Sequence, residues 1–206
     1  MKVLMLNGSP RKNGNTALAL AEVRGTLEAE GIEVCYFDVG ALTVRGCTAC
    51  GYCHKNHGCA INDDIVNQLA TVFEECDGLV VGSPVYYASA NATLIAVLDR
   101  LFYSTRFDKR MKVGFCVTVA RRGGASATFD ELNKYFTISG MPIVSGQYWN
   151  SVHGAAPGEA REDLEGLQSM RTLARHAAFL IKSIRLGKEA YGMPEKEQGI
   201  RTNFIR

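Results

Sequence analysis

The 206-residue sequence contains no long apolar run and no surplus of either charge. No stretch approaches the roughly 20 apolar residues that a membrane-spanning helix needs. The N-terminus begins as a strand-like run over residues 1–6 and shows no signal-peptide pattern. The formal net charge is +2, which gives no basis for binding nucleic acid or an acidic membrane. We therefore expect a cytoplasmic protein whose partners are small molecules.

Internal repeats and low-complexity segments are also missing, and apolar residues alternate between strand-like runs and helical spacings along the whole chain. The composition, 47% hydrophobic and 21% charged residues, is that of one globular domain. We assign this domain to residues 1–187, because Gly187 ends the last predicted helix. Residues 188–206 then form a C-terminal tail.

Five predicted strands alternate with five predicted helices. The strands lie at about residues 3–6, 33–39, 78–82, 112–120 and 143–149. Because each strand is apolar on both faces, the pattern predicts an α/β fold with a doubly wound five-stranded parallel sheet in the order 2-1-3-4-5. A cysteine-rich insertion at about residues 43–61 follows the second strand. In such a sheet the ligand lies beyond the carboxyl ends of strands one, three and four.

The loop after the first predicted strand has the composition of a phosphate site. Hydroxyl, amide and guanidinium side chains lie there beside the free backbone N–H groups of a helix N-terminus, and together they suit a phosphate dianion. The candidate phosphate-binding residues are Ser9, Arg11, Asn13, Gly14, Asn15 and Thr16. The simpler alternative is a capped helix start with incidental basic residues.

Two signatures are absent from that loop. It lacks the Gly-Lys-Ser/Thr ending of nucleoside triphosphatases and the Gly-x-Gly-x-x-Gly pattern of dinucleotide-binding turns. A terminal monophosphate remains as the ligand. Flavin mononucleotide (FMN) is the common cofactor that carries one at this position of the fold.

Two further loops follow strands three and four at the same edge of the sheet. Residues 82–91 combine a proline with two aromatic faces, and residues 120–126 combine flexible glycines with two guanidinium groups. A flavin ring needs flat apolar contacts, backbone polar groups and a cation near the N1 position. The candidate ring-binding residues are Pro84, Val85, Tyr86, Tyr87, Arg121, Arg122, Gly123 and Gly124.

These loops also admit simpler interpretations. The tyrosines could be ordinary packing residues at a strand end, and the arginines could be solvated surface residues. Either arginine could instead contact the phosphate of a nicotinamide nucleotide.

Four of the seven cysteines lie within thirteen residues of one another. A disulfide framework is not expected in the reducing cytoplasm. The spacing of two, two and five residues brings four thiolates around one small centre, as a [4Fe–4S] cluster requires. The candidate ligands are Cys47, Cys50, Cys53 and Cys59. Tetrahedral zinc is an alternative, although structural zinc sites more often use two well-separated Cys-x-x-Cys pairs.

Oxidised, empty or purely structural cysteines are a third alternative for this segment. His54 and His57 lie in the same loop and could be ligands, but exposed histidines are the simpler interpretation. The remaining cysteines lie in apolar patterns and are expected in the core; they are Cys35, Cys76 and Cys116.

Four motifs together are specific enough to indicate a family. They are Asn-Gly-Ser-Pro-Arg-x-x-Gly-Asn-Thr from residue 7, the four-cysteine segment, Gly-Ser-Pro-Val-Tyr-Tyr from residue 82 and Arg-Arg-Gly-Gly from residue 121. Over roughly residues 1–185 the chain resembles the NADPH-dependent FMN reductase and iron–sulfur flavoprotein branch of the flavodoxin-like proteins. The resemblance implies bound FMN, electron transfer, homodimers or homotetramers, and a [4Fe–4S] cluster on the four cysteines.

One detail departs from ferredoxin practice. Ala60, and not a proline, follows the last cysteine. In two-cluster ferredoxins the fourth cysteine of such a run ligates the other cluster. With a single cluster, Cys59 itself must be the fourth ligand.

The leading hypothesis is an FMN-dependent oxidoreductase in which NAD(P)H delivers a hydride to flavin N5. Hydride transfer requires no acid or base side chain, which agrees with the absence of a catalytic dyad. The reduced flavin would pass electrons to a small acceptor of the flavin or quinone type. With a cluster present, a ferredoxin could replace NAD(P)H as the electron donor.

Two alternatives belong to other functional classes. One is a non-catalytic one-electron carrier or redox-sensing flavin module, which the isoelectric point of about 8.1 and the Arg121-Arg122 pair disfavour, because flavodoxin-type carriers dock basic partners through acidic surfaces. The other is a zinc-stabilised interaction module, which leaves the flavin loops unexplained.

Oligomers are expected because one chain covers only half of a flavin ring at the strand ends. The aromatic residues Phe136, Tyr148 and Trp149, together with residues 150–154, could cover the site of a neighbouring subunit. The tail lacks apolar periodicity, and we expect it to rest on a second subunit.

Overall fold

A central parallel sheet organises the protein, in a computed structural model that describes residues 1–204. Its strands are Lys2–Asn7 (β1), Glu33–Asp38 (β2), Gly78–Pro84 (β3), Val113–Ala120 (β4) and Ser151–His153 (β5). The helices are Asn15–Ala29 (α1), Tyr52–Lys55 (α2), Val66–Glu75 (α3), Ala92–Ser104 (α4), Ala125–Ile138 (α5) and Leu164–Tyr191 (α6), with a 3-10 turn at Glu159–Arg161. The strand order β2-β1-β3-β4-β5 confirms the predicted fold.

Helices cover both faces of the sheet because alternate residues of each strand point to opposite sides. In β1, Val3 and Met5 join a core beneath α1 and α6. Leu4 and Leu6 join the second core, beneath α3, α4 and α5. The two cores fix the strands from both sides, so the loops at the strand ends are held in defined positions.

The fifth strand differs from the prediction. Ile143 makes a single parallel bridge to Gly114, and regular pairing with β4 resumes only at Ser151–His153. Between them, residues 145–149 leave the sheet, and Ser145, Gln147 and the two aromatic residues that follow are exposed. The expected strand at about residues 143–149 is therefore wrong, because its polar residues cannot enter a core that is closed on both faces.

The last helix also runs further than predicted. It continues through Gly187 to Tyr191 and ends at Gly192, whose positive φ of 76° suits a glycine. Gly187 lies in open space on the helix surface, where glycine is tolerated. In the tail, Arg110 Nη1 donates to the carbonyl of Pro194 at 3.1 Å. Residues 205–206 of the predicted tail lie outside the described part of the chain.

The three cysteines outside the insertion behave largely as expected. Cys76 and Cys116 are buried, and Cys35 is half-buried against the same core. Burial raises the pKa of the Cys76 thiol to about 12 and also raises the pKa of the Cys116 thiol, so both stay protonated. Within residues 1–204, no helix is both long and apolar enough to cross a membrane.

Candidate functional site

The loops after β1, β3 and β4 meet at one cavity, of about 220 Å³. Its lining residues are Ser9, Arg11, Gly14, Asn15, Thr16, Pro84, Val85, Tyr86, Val119, Arg121, Gly154 and Ala155. The other sequence-predicted residues lie outside this lining; they are Asn13, Tyr87, Arg122, Gly123 and Gly124. The structure thus brings the predicted phosphate loop together with the start of each ring loop, at the position where strand order reverses.

The phosphate loop is prebuilt by short-range hydrogen bonds. Asn7, held by Asp38 at 2.9 Å, accepts from the Ser9 backbone N–H at 3.0 Å. The Ser9 hydroxyl in turn accepts from the Arg11 N–H at 3.1 Å. No side chain caps α1 at Gly14, so the first backbone N–H groups of the helix remain open toward the cavity. This is the arrangement in which helix N-termini receive phosphate groups.

Asn15 lines the cavity, and its side chain also joins two parts of the fold. Its side-chain Nδ2 donates to the carbonyl of Ala156 at 2.9 Å, and its Oδ1 accepts from the N–H of Gly158 at 2.9 Å. The amide therefore ties α1 to the loop after β5 through its oxygen and one N–H, which leaves the second side-chain N–H and the backbone N–H of Asn15 for a phosphate. Its partners lie about 140 residues along the chain, beyond the reach of motif analysis.

The sequence suggests that residues 150–154 cover the site of a neighbouring subunit, whereas Gly154 and Ala155, directly after β5, form one wall of the cavity of their own chain. A Cβ at Gly154 would lie 2.8 Å from the backbone nitrogen of Ala160 and 2.9 Å from Asn15 Nδ2. Only glycine fits this close approach without moving its neighbours. An isolated Gly-Ala-Ala segment in the sequence gives no signal of that role.

The first ring loop folds into a tight turn with unusual backbone angles. Tyr86 and Ser89 exchange two backbone hydrogen bonds, at 2.9 and 3.0 Å. The two residues between them, Tyr87 and Ala88, adopt positive φ angles of 50° and 60°, which non-glycine residues rarely do. Glu131 of α5 fixes the turn by accepting from Ser89 Oγ at 2.9 Å and from the Ala90 N–H at 2.8 Å.

A single buried asparagine links the loops at this edge. Asn91 Nδ2 donates to the carbonyl of Gly8 at 2.7 Å and, at 3.3 Å, to that of Gly40. The backbone N–H of Asn91 donates to Ser83 Oγ, and its Oδ1 caps α4 by accepting from the Thr93 N–H. Because one side chain holds three loops, their relative positions are fixed before any ligand arrives.

The cysteine segment forms a second recess, which shares no lining residue with the cavity at the strand ends. Cys47, Cys50, Cys53 and Cys59 all line it, together with Arg100, Tyr103 and Ser104 of α4. Its enclosed space is about 20 Å³, and Cys47 and Cys50 at its rim are exposed. In the described part of the chain, no three His, Cys, Asp or Glu side chains stand close enough together to hold a metal ion.

A buried arginine lies at the base of this recess. Arg100 is 1% exposed, and its guanidinium makes two hydrogen bonds to the Asp64 carboxylate, one of them at 3.1 Å. Burial alone would lower the pKa of Arg100, but its hydrogen bonds to Asp64 and Cys59 offset that effect and leave the pKa raised. The pair therefore places a permanent positive charge, balanced by one carboxylate, beside the cysteines.

The two histidines of the segment are exposed, as expected. His54 Nε2 lies 3.0 Å from the hydroxyl of Tyr103. Phe136, in contrast, cannot cover a neighbouring site because it is buried in the core of its own chain. Tyr148 and Trp149 are both exposed and pack against each other, with ring centroids 5.2 Å apart.

Comparison with known proteins agrees with this geometry. Residues 1–156 match the protein-family model described as NADPH-dependent FMN reductase. An iron–sulfur flavoprotein of Methanocaldococcus jannaschii is 33% identical over 193 residues, which cover 90% of this chain and 100% of the relative. An iron–sulfur flavoprotein of Archaeoglobus fulgidus is 31% identical, over 87% of this chain and 97% of the relative.

A solved structure shows the same fold. RosB with the bound intermediate 8-demethyl-8-formylriboflavin-5′-phosphate superposes with a TM-score of 0.71. The superposition covers 100% of this chain and 92% of RosB, at 16% sequence identity. At that identity the likeness concerns the fold alone.

Proposed function

The chain belongs to the NADPH-dependent FMN reductase family, and from this membership we propose that it is an FMN-dependent oxidoreductase of the cytoplasm. It takes electrons from NAD(P)H and passes them to a small acceptor. Its four-cysteine segment would hold a [4Fe–4S] cluster, and a ferredoxin is the alternative electron donor. The observation that carries the proposal is the single cavity at which the loops after β1, β3 and β4 meet.

The residues around that cavity fit FMN. The uncapped start of α1, the Thr16 hydroxyl and the guanidinium of Arg11 would hold the phosphate. Pro84, Val85 and Tyr86 would receive the ring edge on a turn whose shape is already set. Arg121 places positive charge at the same cavity, where it stabilises the negative charge of a reduced ring.

FMN, when bound, supplies the exchange of electrons, and the protein supplies binding, orientation and electrostatics. The hydrogen bonds of Asn91 and Glu131 keep the loops in one arrangement, so little is lost in ordering them when the cofactor binds. No side chain of this cavity needs to transfer a proton for the proposed reaction.

The donor set of the second recess fits an iron–sulfur cluster. Four thiols line it, and the buried hydroxyl of Ser104 beside them has no hydrogen-bond partner among residues 1–204. Cys47, Cys50, Cys53 and Cys59 would be the ligands. Because no three of these side chains stand close enough together to hold a metal ion in the described part of the chain, they would have to move together around a cluster. A bound cluster supplies single-electron transfer.

We propose a homodimer or homotetramer as the functional form. Tyr148 and Trp149 are 63% and 57% exposed and lie at the end of the segment that leaves the sheet. Large exposed aromatic side chains of this kind are typical of subunit contacts.

An absorption spectrum of protein purified without oxygen, combined with iron and zinc analysis, tests the proposal. A brown protein with flavin bands and about four irons per chain is expected. A yellow, metal-free protein would contradict the cluster, zinc in its place would indicate a structural site, and a colourless protein would contradict the flavin.

The phosphate assignment is tested by the double variant Arg11→Ala/Thr16→Ala. Loss of two polar phosphate contacts should weaken FMN binding by about tenfold or more. The matched control is Arg24→Ala/Thr26→Ala on the same helix, whose side chains bond to Glu28 and to the carbonyl of Glu22. Equal FMN affinity of the two double variants would refute the assignment.

The donor is tested by mixing the anaerobic protein with NADPH or NADH and following flavin bleaching. Bleaching by either nucleotide supports the reductase. A flavin that neither nucleotide reduces would favour the alternative of a non-catalytic carrier.

A further inference from the structure

We propose that Arg100 and Ser104 form a pair of hydrogen-bond donors for the sulfur atoms of the cluster, and that the pair raises the cluster's reduction potential. This inference rests on the proposed function, because it assumes that the four cysteines hold an iron–sulfur cluster. The two residues lie four positions apart on α4, and therefore on the same face of the helix. Both line the cysteine recess.

Ser104 carries the strongest evidence. It is 3% exposed, and within residues 1–204 its hydroxyl is the one buried side-chain polar atom that has no hydrogen-bond partner. A serine near a helix end commonly satisfies itself by bonding to a backbone carbonyl one turn earlier. Its neighbour Thr105 does this, with Oγ1 donating to the carbonyl of Leu101 at 2.6 Å.

The Ser104 hydroxyl therefore has an unused donor in a recess lined by four thiols. An unpaired buried polar group is destabilising, and native proteins rarely retain one without a reason. A cluster in the recess would offer sulfur acceptors, so its presence would satisfy the hydroxyl.

Arg100 supplies the second donor, and its geometry is fixed. Nε donates to Cys59 Sγ at 3.3 Å. The four remaining N–H groups are taken by the carbonyls of Arg45 and Ile61 and by the two oxygens of Asp64. With all five N–H groups used, the guanidinium cannot turn away, and its Nε–H stays directed at the sulfur of Cys59.

Such donors affect a redox centre in a predictable direction. Reduction adds negative charge that is shared with the sulfur atoms, so N–H and O–H donors stabilise the reduced form more than the oxidised form. The positive charge of Arg100 acts in the same direction. The reduction potential should therefore be higher with the two donors than without them.

Arg100 alone would not distinguish this role from a structural one. Its hydrogen bonds tie Arg45, which precedes the first cysteine, to Cys59 and Ile61 at the other end of the segment. These hydrogen bonds would hold the segment in place whether or not a cluster is bound. Ser104 anchors nothing, so the decisive variant is Ser104→Ala.

The experiment uses full-length protein that is reconstituted with iron and sulfide without oxygen and titrated with a reductant while the cluster is followed by electron paramagnetic resonance. Ser104→Ala should retain its iron and FMN and show a lower midpoint potential. Arg100→Lys, which retains the charge but loses the Nε–H donor, should also have a lower potential. The control is Thr105→Val, which removes the adjacent hydroxyl outside the recess and should leave the potential unchanged.

A second measurement distinguishes a role of the Ser104 hydroxyl toward the cluster from a role in the packing of the protein. In the metal-free protein, Ser104→Ala should melt at the same temperature as the wild type or higher, because the change removes an unpaired hydroxyl. A lower melting temperature of the metal-free variant would show that the hydroxyl has a structural role and would overturn the inference.

The outcomes also separate this inference from the proposed function. A wild-type protein that takes up no iron would overturn both the cluster and the inference. If the wild type and Ser104→Ala bind iron fully and have the same potential, only the inference fails. Loss of iron from Ser104→Ala, with no shift in the potential of the remainder, would also overturn it.

Discussion

The cavity at the strand ends and the recess of the cysteine segment differ in the elements that form them and in the interactions that hold those elements in place. The loops after β1, β3, β4 and β5 form the first, and hydrogen bonds from Asn91 and Asn15 hold these loops together. The second is formed by a segment with little regular structure, held at its ends by the side chains of Arg100 and Asn67. Uncapped backbone N–H groups of α1 thus lie at the first site, whereas a buried charge that must itself be balanced lies beside the cysteines of the second.

Asp64→Ala is expected to have the largest effect on stability and to affect the cysteine recess but not the cavity at the strand ends. Removal of this carboxylate leaves Arg100 buried without its counter-ion, which should destabilise the protein by about 3–5 kcal/mol in urea unfolding. Iron binding should be lost with it, whereas FMN should still bind to the fraction that is folded, because Asp64 contacts none of the flavin loops.

Asp63→Ala is the matched control for that change. Asp63 is the preceding residue and pairs with Arg45, but its side chain is 69% exposed. An exposed pair adds little to stability, so unfolding and iron content should match the wild type. Equal behaviour of the two aspartate variants would mean that the recess does not depend on its buried charge.

The next effect is expected in the other region, from Gly40→Ala. A Cβ at this position would lie 2.2 Å from the carbonyl oxygen of Gly8, so the phosphate loop would have to move. FMN affinity should fall about tenfold or more, which corresponds to at least about 1.4 kcal/mol, and fluorescence titration measures it. Iron content should not change.

Gly25→Ala serves as the control for Gly40→Ala. Gly25 lies within α1 with open space around it. Alanine there should raise stability by about 0.5–1 kcal/mol and leave FMN affinity unaltered. If Gly40→Ala also binds FMN normally, the close approach of the two loops does not set the shape of the phosphate site.

A smaller effect is expected from Glu131→Ala. Loss of the hydrogen bonds to Ser89 and Ala90 should loosen the turn and weaken FMN binding by roughly fivefold, since a hydrogen bond contributes about 1 kcal/mol. Asp130→Ala, an exposed neighbour on α5, should bind FMN like the wild type. Identical titrations for the two variants would show that the turn keeps its shape without Glu131.

The sheet and the residue types of its loops could be predicted because both depend on short stretches of sequence. Apolar runs mark the strands, and the loop that follows each strand lies at a known edge of the sheet. The role of a residue could not be predicted where it depends on partners that are distant in the sequence. The motif around Asn15 indicates a phosphate ligand. In the structure, the side chain of Asn15 also makes hydrogen bonds to the loop after β5, which the motif does not predict.

Arg100 illustrates a second limit. In the sequence it follows Asp99 and resembles one half of a solvated charge pair on a helix. Its burial depends on Asp64, 36 residues earlier, and on the carbonyls of the cysteine segment. The break before β5 has the same origin, since only the closed core shows that polar residues must leave the sheet there.

Helix α4 joins the two regions, because Asn91 caps its first turn and Arg100 lies about 14 Å further along the axis. The hydrogen bonds of Asn91 and those of Arg100 have no partner residue in common. We therefore predict that changes in the cysteine segment leave the cavity at the strand ends unaltered. For the same reason, the coupling free energy between FMN and iron binding should be close to zero, and each should load independently of the other.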